Sequence, residues 1–129
     1  MSSNNIQYWI NIAEYDLQVA ASMLEKKHYL YVGFMCHQAI EKLLKAYYVK
    51  NKKEIPPYIH NLDKLIDKSG IRNLINKEFE DFIDELIPLN IQARYPSYIE
   101  EIHKLITKDK AEYLLKKTKE IFKWLKETM

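Results

Sequence analysis

Glycine, cysteine and proline are scarce in this chain, which has two, one and four of them in 129 residues. With two glycines it can contain neither a Walker phosphate loop nor the glycine-rich fingerprint of a dinucleotide-binding domain. So few turn-forming residues also argue against a β-sandwich or barrel. The single cysteine, Cys36, excludes an intramolecular disulfide and a cysteine-rich zinc site.

Long apolar runs are missing as well. No stretch reaches the ~18 apolar residues of a membrane-spanning helix. The first residues lack the basic and apolar regions of a secretory signal peptide. We therefore expect a cytoplasmic protein.

The residues that are present suit one globular domain covering 1–129. Apolar residues make up 47% of the chain, enough for a hydrophobic core at this length. The net charge is only +2, but residues 104–129 contain eight lysines against four acidic residues. This basic face could bind a phosphate backbone or could simply be solvated.

Hydrophobic periodicity predicts helices throughout. The fold class is therefore all-α, a single-domain up-and-down helical bundle of about five helices. The predicted helices cover residues of about 5–26, 29–51, 62–69, 77–87 and 109–127.

Capping residues mark several of these ends. Asn4 or Asn5 can cap the first helix, and Asn61 can cap the third. Gly70 is expected in the left-handed conformation just past the third helix.

The region before the last helix is harder to assign. Pro88 should end the fourth helix, and residues 90–98 read as a structured loop. The apolar pattern of residues 99–106 predicts one or two further helical turns. The last helix is expected to begin near Asp109, with Glu112 as its capping-box partner.

The second helix organises the chain, because its apolar half spans about 180° and predicts neighbours on much of its circumference. Its other half is polar. That face is either solvated surface or the lining of a site. It carries His37, Gln38, Glu41, Lys42 and Lys45.

Two histidines have alternative interpretations. His37 could be a base or a phosphate ligand, or it could simply pair with Glu41 one turn later. His60 precedes a helix, and there we expect its ring to bond the backbone and fix the turn.

Arg94 is one of two arginines beside eighteen lysines, which suggests a specific use for its guanidinium. If Arg94 and His103 reached one pocket, the imidazole could transfer the 2′-hydroxyl proton of RNA and the guanidinium could stabilise the transition state. The alternative is a structural arginine that pairs with Asp84 or Glu85.

Five segments follow one another in a recognisable order: AEYDLQVA at 13–20, FMCHQAIEKLLKA at 34–46, HNL at 60–62, ARYP at 93–96, and the helix at 109–127. Together they resemble the HEPN (higher eukaryotes and prokaryotes nucleotide-binding) domain family.

The resemblance implies a helical bundle, commonly a homodimer, from a bacterium or archaeon. It also implies a toxin-like or nucleotide-binding subunit of a two-gene module, encoded beside a minimal nucleotidyltransferase, with no cofactor and no metal. Arg94 and Tyr95 would then face the polar side of the second helix. The implied nucleotide- or partner-binding residues are His37, Gln38, Glu41, Lys45, Arg94 and Tyr95.

Two alternatives to this function stay open. One is a metal-independent endoribonuclease that uses Arg94 and His103 at a dimer interface. The family's ribonucleases have four to six residues between the arginine and the histidine, whereas eight separate Arg94 from His103 here, and Pro96 is among them. Leu105 also stands where the nucleotidyltransferase-paired toxins have a tyrosine. The other is a non-catalytic dimeric interaction module.

Overall fold

The computed structural model describes residues 5–129, apart from the side chain of Ala93. Six α-helices and no β-strand lie in this range, numbered α1 to α6 in chain order. They are Ile6–Glu25, Tyr29–Lys52, Leu62–Ser69, Lys77–Leu86, Pro96–Leu105 and Lys108–Thr128. The all-α bundle is confirmed, with one helix more than the five or so predicted. None of the helices in 5–129 is long and apolar enough to cross a membrane.

Helix α2 lies at the centre of the bundle, as predicted. The other five helices all pack against it. Its side chains Ile40, Leu43 and Leu44 are completely buried. At Gly33, an added Cβ would lie 3.0 Å from Leu89 Cδ1, so the absence of a side chain allows the segment after α4 to approach closely.

The connection between α1 and α2 is a Schellman turn, which folds them into a hairpin. His28 N–H donates to Met23 O at 2.8 Å, and Lys27 N–H donates to Leu24 O at 3.0 Å. Lys27 occupies the left-handed position, with φ 66°, where glycine is usual. The turn therefore holds a strained lysine.

We expect Lys27→Gly to raise the unfolding free energy by about 0.5–1 kcal/mol. Left-handed backbone costs an L-residue roughly 1–2 kcal/mol, and the added entropy of an unfolded glycine offsets roughly 0.5–1 kcal/mol of the relief. Urea denaturation measures the change. Lys26→Gly is the matched control, because Lys26 has φ −84° and no strain to relieve. An equal gain in both variants would contradict the explanation.

Capping residues lie largely where they were expected. The Asn5 side chain accepts a hydrogen bond from the first turn of α1, and Asn61 does the same for α3. Gly70 follows α3 with φ 81°, in the predicted left-handed conformation. Asn4, the other candidate cap, lies outside the described residues.

Helix α5 begins earlier than predicted, so the interpretation of 90–98 as a loop is wrong for its last residues. Tyr95 is extended, as a residue before proline should be. Pro96 then occupies the first helical position, where its missing N–H costs nothing. The proline starts a helix here instead of interrupting one.

Helix α6 begins near Asp109 as predicted, but its cap differs from the prediction. The helix begins at Lys108, and the hydroxyl of Thr107 accepts a hydrogen bond from the Lys110 N–H at 3.2 Å. Asp109 and Glu112 therefore do not form the predicted capping box. Threonine is a favoured N-cap residue, but the spacing of Asp109 and Glu112 gives a stronger capping signal in the sequence.

Cys36 is a core residue, as its place on the apolar half of α2 predicted. It is completely buried. Burial raises the pKa of its thiol to about 12, against a smaller opposing effect of the Thr118 hydroxyl. The thiol is therefore protonated and chemically quiet in the folded chain.

Candidate functional site

The polar half of α2 is mostly buried. His37, Glu41 and Lys45 are 1%, 1% and 4% exposed, whereas Gln38 and Lys42 are half-buried. For the first three residues the solvated-surface alternative is therefore wrong. Helix α1 and the segment that leads into α3 contribute side chains to this side of α2, and these exclude water from it.

Glu41 is the centre of this region. Its Oε2 lies 3.2 Å from Lys45 Nζ, 3.0 Å from His60 Nδ1 and 3.8 Å from Lys42 Nζ. We call these four side chains the Glu41 cluster. A carboxylate is stable at such a depth only where donors and cations surround it, and here they do.

The second oxygen of this carboxylate is different. Glu41 Oε1 has no hydrogen-bond donor among residues 5–129. The His37 Nδ1 atom lies 3.8 Å away but bonds Gln38 Oε1 at 3.2 Å. Burial lowers the pKa of His37 to about 4, although Glu41 opposes the shift. His37 is therefore a neutral imidazole beside the cluster at neutral pH.

Helix α1 supplies two partners for the lysines. Lys45 Nζ lies 5.6 Å from the centre of the Trp9 ring, and Lys42 Nζ lies 4.0 Å from Asp16 Oδ2. Burial raises the pKa of Asp16, and Lys42 opposes that shift. Asp16 therefore faces α2.

His60 does not bond the backbone as expected, because its ring pairs with Glu41. The side chain is 45% exposed, and the Tyr58 ring packs edge-on against it at 5.0 Å. His60 thus connects the buried carboxylate to the surface. Sequence analysis missed this partner, since the only signal was its place before the Asn61 cap.

Arg94 lies in extended backbone just before α5. Its guanidinium carbon lies 4.9 Å from the centre of the Tyr98 ring, and the side chain is exposed. It forms no ion pair with any residue of 5–129. Glu85 instead accepts hydrogen bonds from Lys110 at 2.7 Å and Tyr113 at 2.9 Å. Pairing of Arg94 with the acidic residues of α4 is therefore wrong.

Arg94 and His103 do not meet within one chain. Arg94 packs on Tyr98 in the first turn of α5, and His103 is exposed in the last turn. Tyr98 and His103 are five positions apart, which is about 7.5 Å along a helix and about 140° around it. The other expected meeting is also unsupported, since no contact in the described part of the chain joins Arg94 or Tyr95 to the Glu41 cluster.

A model of the HEPN domain matches residues 6–128, nearly the whole chain. This chain belongs to the HEPN domain family. The resemblance drawn from the motifs is therefore confirmed.

One solved structure shares the fold of this HEPN domain. The crystal structure of TT1696 from Thermus thermophilus superposes with a TM-score of 0.81, over 98% of this chain and 99% of that one. The two sequences are 20% identical, so the likeness concerns the fold alone. A comparison with curated proteins finds no match.

The acidic residues of α4 and the lysines of α6 partly neutralise each other. The α4 residue Glu78 pairs with Lys117 of α6, next to the Glu85 contacts described above. Lys116, Lys119 and Lys123 of α6 are exposed and have no ion pair in the described range. The choice between a solvated and a phosphate-binding face now concerns these three lysines and Lys108, which is also exposed and has no ion pair in residues 5–129.

Proposed function

We propose that this HEPN domain is the toxin-like or nucleotide-binding subunit of a two-gene module whose partner is a minimal nucleotidyltransferase. The observation that carries the proposal is the exposed Arg94 guanidinium, which has no carboxylate partner in 5–129 and is held over the Tyr98 ring. Tyr95 beside it is 82% exposed. An arginine fork binds phosphates or carboxylates, and a free aromatic ring can stack on a base.

The three buried residues on the polar half of α2 have a different part in this proposal. His37, Glu41 and Lys45 are buried, so they contact no ligand while the fold is closed. They act by positioning the two accessible side chains next to them, Gln38 and His60. Arg94 and Tyr95 make the direct contact.

The test is to co-express the chain with the nucleotidyltransferase expected in the neighbouring reading frame and to measure the affinity of the purified complex by calorimetry. We expect Arg94→Ala to weaken the complex by about tenfold to a hundredfold, because a charge-assisted hydrogen bond contributes roughly 1.5–3 kcal/mol. Arg94→Lys should recover only part of this, since it restores the charge without the fork.

Arg72→Ala is the matched control for that series. Arg72 is the other arginine, and it is already paired with Asp63 at 2.7 Å and Asp67 at 2.8 Å. Its loss should leave the affinity unchanged. A chain that forms no complex with the nucleotidyltransferase, or a complex equally weakened by both alanine variants, would contradict the proposal.

A metal-independent endoribonuclease is the second candidate. The observation in its favour is that Arg94 and His103 are both exposed, so a second copy could approach either one. RNA cleavage in EDTA that disappears in Arg94→Ala and in His103→Ala would support it. Absence of cleavage by the wild type would leave the binding subunit as the better account.

A further inference from the structure

Helices α1 and α6 border an open groove of about 650 Å³, which we call the α1–α6 groove. Gly33 of α2 lies beside Leu114, and the hydroxyl of Tyr47 bonds that of Thr128, so α2 and α6 run in the same direction. Helix α1 forms a hairpin with α2 and therefore runs antiparallel to α6. The volume is in the range of small-molecule sites, which is ~300–1,000 Å³.

The floor of the groove is apolar. Leu17 and Ala21 of α1 are half-buried and pack against the core, and Phe122 of α6 is 5% exposed. Leu17 and Ala21 are one helical turn apart, so their side chains form a continuous strip. Among the described residues that line the groove, Gln18 is the only uncharged polar one. The floor therefore suits an apolar group that makes few hydrogen bonds.

The rim of the groove carries five charged side chains. Lys126 pairs with Glu14 and closes one end of the groove, and Glu127 lies at the same end. Lys119 and Lys123 line the rest of the rim, where both are exposed and have no ion pair in residues 5–129. Three lysines and two glutamates leave one positive charge on the lining. That charge lies toward Lys119, away from the Glu14–Lys126 pair.

The two unpaired lysines favour a negatively charged ligand. Lys119 and Lys123 are one turn apart on α6, and like charges at this spacing repel each other. An anion held between their ammonium groups would remove the repulsion. Their methylene stems extend the apolar walls of the groove beneath the charged ends. The groove therefore matches a molecule with an anionic head on the rim and an apolar body on the floor.

The lining also restricts the kind of head and body. The Phe122 ring is buried, so it offers no free face on which a nucleobase or another planar ring could stack. A monoanion balances the net charge of the lining, whereas a phosphate monoester carries about 1.5 to 2 negative charges. The distance along α6 from Lys119 to Lys126 is about 10 Å, which limits the length of the body.

We propose that the α1–α6 groove binds a medium-chain aliphatic carboxylate. The carboxylate lies between Lys119 and Lys123, and the chain lies on Leu17 and Phe122. Arg94 does not line this groove, so the inference goes beyond the proposed function and does not depend on it.

Equilibrium dialysis of the whole chain against hexanoate, octanoate and dodecanoate tests the proposal, with each ligand kept below its micellar concentration. Octanoate should bind with a stoichiometry of one and about tenfold more tightly than hexanoate, because two more methylene groups leave water. Dodecanoate should gain little more, since a groove of about 10 Å is already filled. Octyltrimethylammonium has the same chain with the opposite charge and should not bind.

Two variants locate the ligand in the groove. Ala21→Leu fills the floor with a good helix former and should weaken octanoate binding by more than about tenfold. Lys123→Ala should weaken it by about twofold to fivefold, as expected for an exposed ion pair. Lys116→Ala is the matched control, because Lys116 is an exposed, unpaired lysine of the same helix that does not line the groove. Circular dichroism should show all three variants folded.

Four results would overturn the proposal. One is the absence of saturable octanoate binding, and another is an affinity that keeps rising from octanoate to dodecanoate, which indicates unspecific apolar adsorption. The third is an equal loss in Lys116→Ala and Lys123→Ala, with Ala21→Leu unaffected. The fourth is binding to phosphatidylglycerol vesicles without binding of free octanoate, which would assign the lysines to a membrane surface instead.

Discussion

Glu41→Gln is expected to lower the unfolding free energy by about 3–5 kcal/mol, the cost of breaking a buried ion pair on one side. Lys45 is 4% exposed, and its ammonium has Glu41 Oε2 as its acidic partner at 3.2 Å. The substitution keeps the size of the side chain but leaves that ammonium buried without a counter-charge. His60 and Lys42 lose the same partner. Urea denaturation at neutral pH measures the loss.

Glu85→Gln is the matched control for this experiment. Glu85 also pairs with a lysine, at 2.7 Å, but the pair is about one-third exposed. Solvent screens such a pair, so we expect a loss below about 1 kcal/mol. Adding Lys45→Met to Glu41→Gln removes both charges and should recover part of the stability. Similar small losses for both glutamates would show that water reaches the Glu41 cluster.

Acidification from pH 6.5 to pH 4 should lower the unfolding free energy by about 3 kcal/mol through His37 alone. Burial lowers the pKa of His37 in the folded chain from 6.5 to about 4. In this interval the unfolded chain binds a proton that the folded chain does not. The contribution of the neutral imidazole is therefore complete above pH 6.5 and is lost as the pH falls toward 4.

Unfolding of the wild type and of His37→Gln across this pH interval isolates the effect. The variant should lose the His37 part of the slope, even if it is less stable throughout. Charged groups near His37 are Glu41, Lys42 and His60. Asp16 acts in the opposite direction, because its raised pKa favours the folded state in acid, and it is common to both proteins.

His103→Gln serves as the control, since this imidazole is exposed on α5. It should keep the wild-type slope. A difference between wild type and His37→Gln that does not change with pH would contradict the assignment of the acid sensitivity to His37.

Local signals predicted most of the fold correctly. Asn61 and Gly70 bound α3 as expected, because a cap and a left-handed glycine act within a few residues of the helix end. The wide apolar half of α2 also identified the central helix, because this pattern too is contained within one segment of the sequence. The prediction was wrong at Pro96. A proline can end one helix or begin another, and these two local signals competed there.

The candidate site was less predictable, because its partners are distant in the sequence. His60 lies nineteen positions after Glu41, so the two side chains meet only when the chain folds. The i,i+4 spacing of Glu41 and Lys45 was visible, but spacing alone cannot distinguish an exposed pair from a buried one.

The buried position of Cys36 has a kinetic consequence. Alkylating reagents react with the thiolate, and a pKa near 12 at a site without solvent exposure leaves almost none of it in the folded chain. Labelling must therefore wait until the chain around the middle of α2 opens. Since Cys36 is the only thiol, the rate of labelling reports how often the centre of the bundle becomes accessible, without any engineered probe.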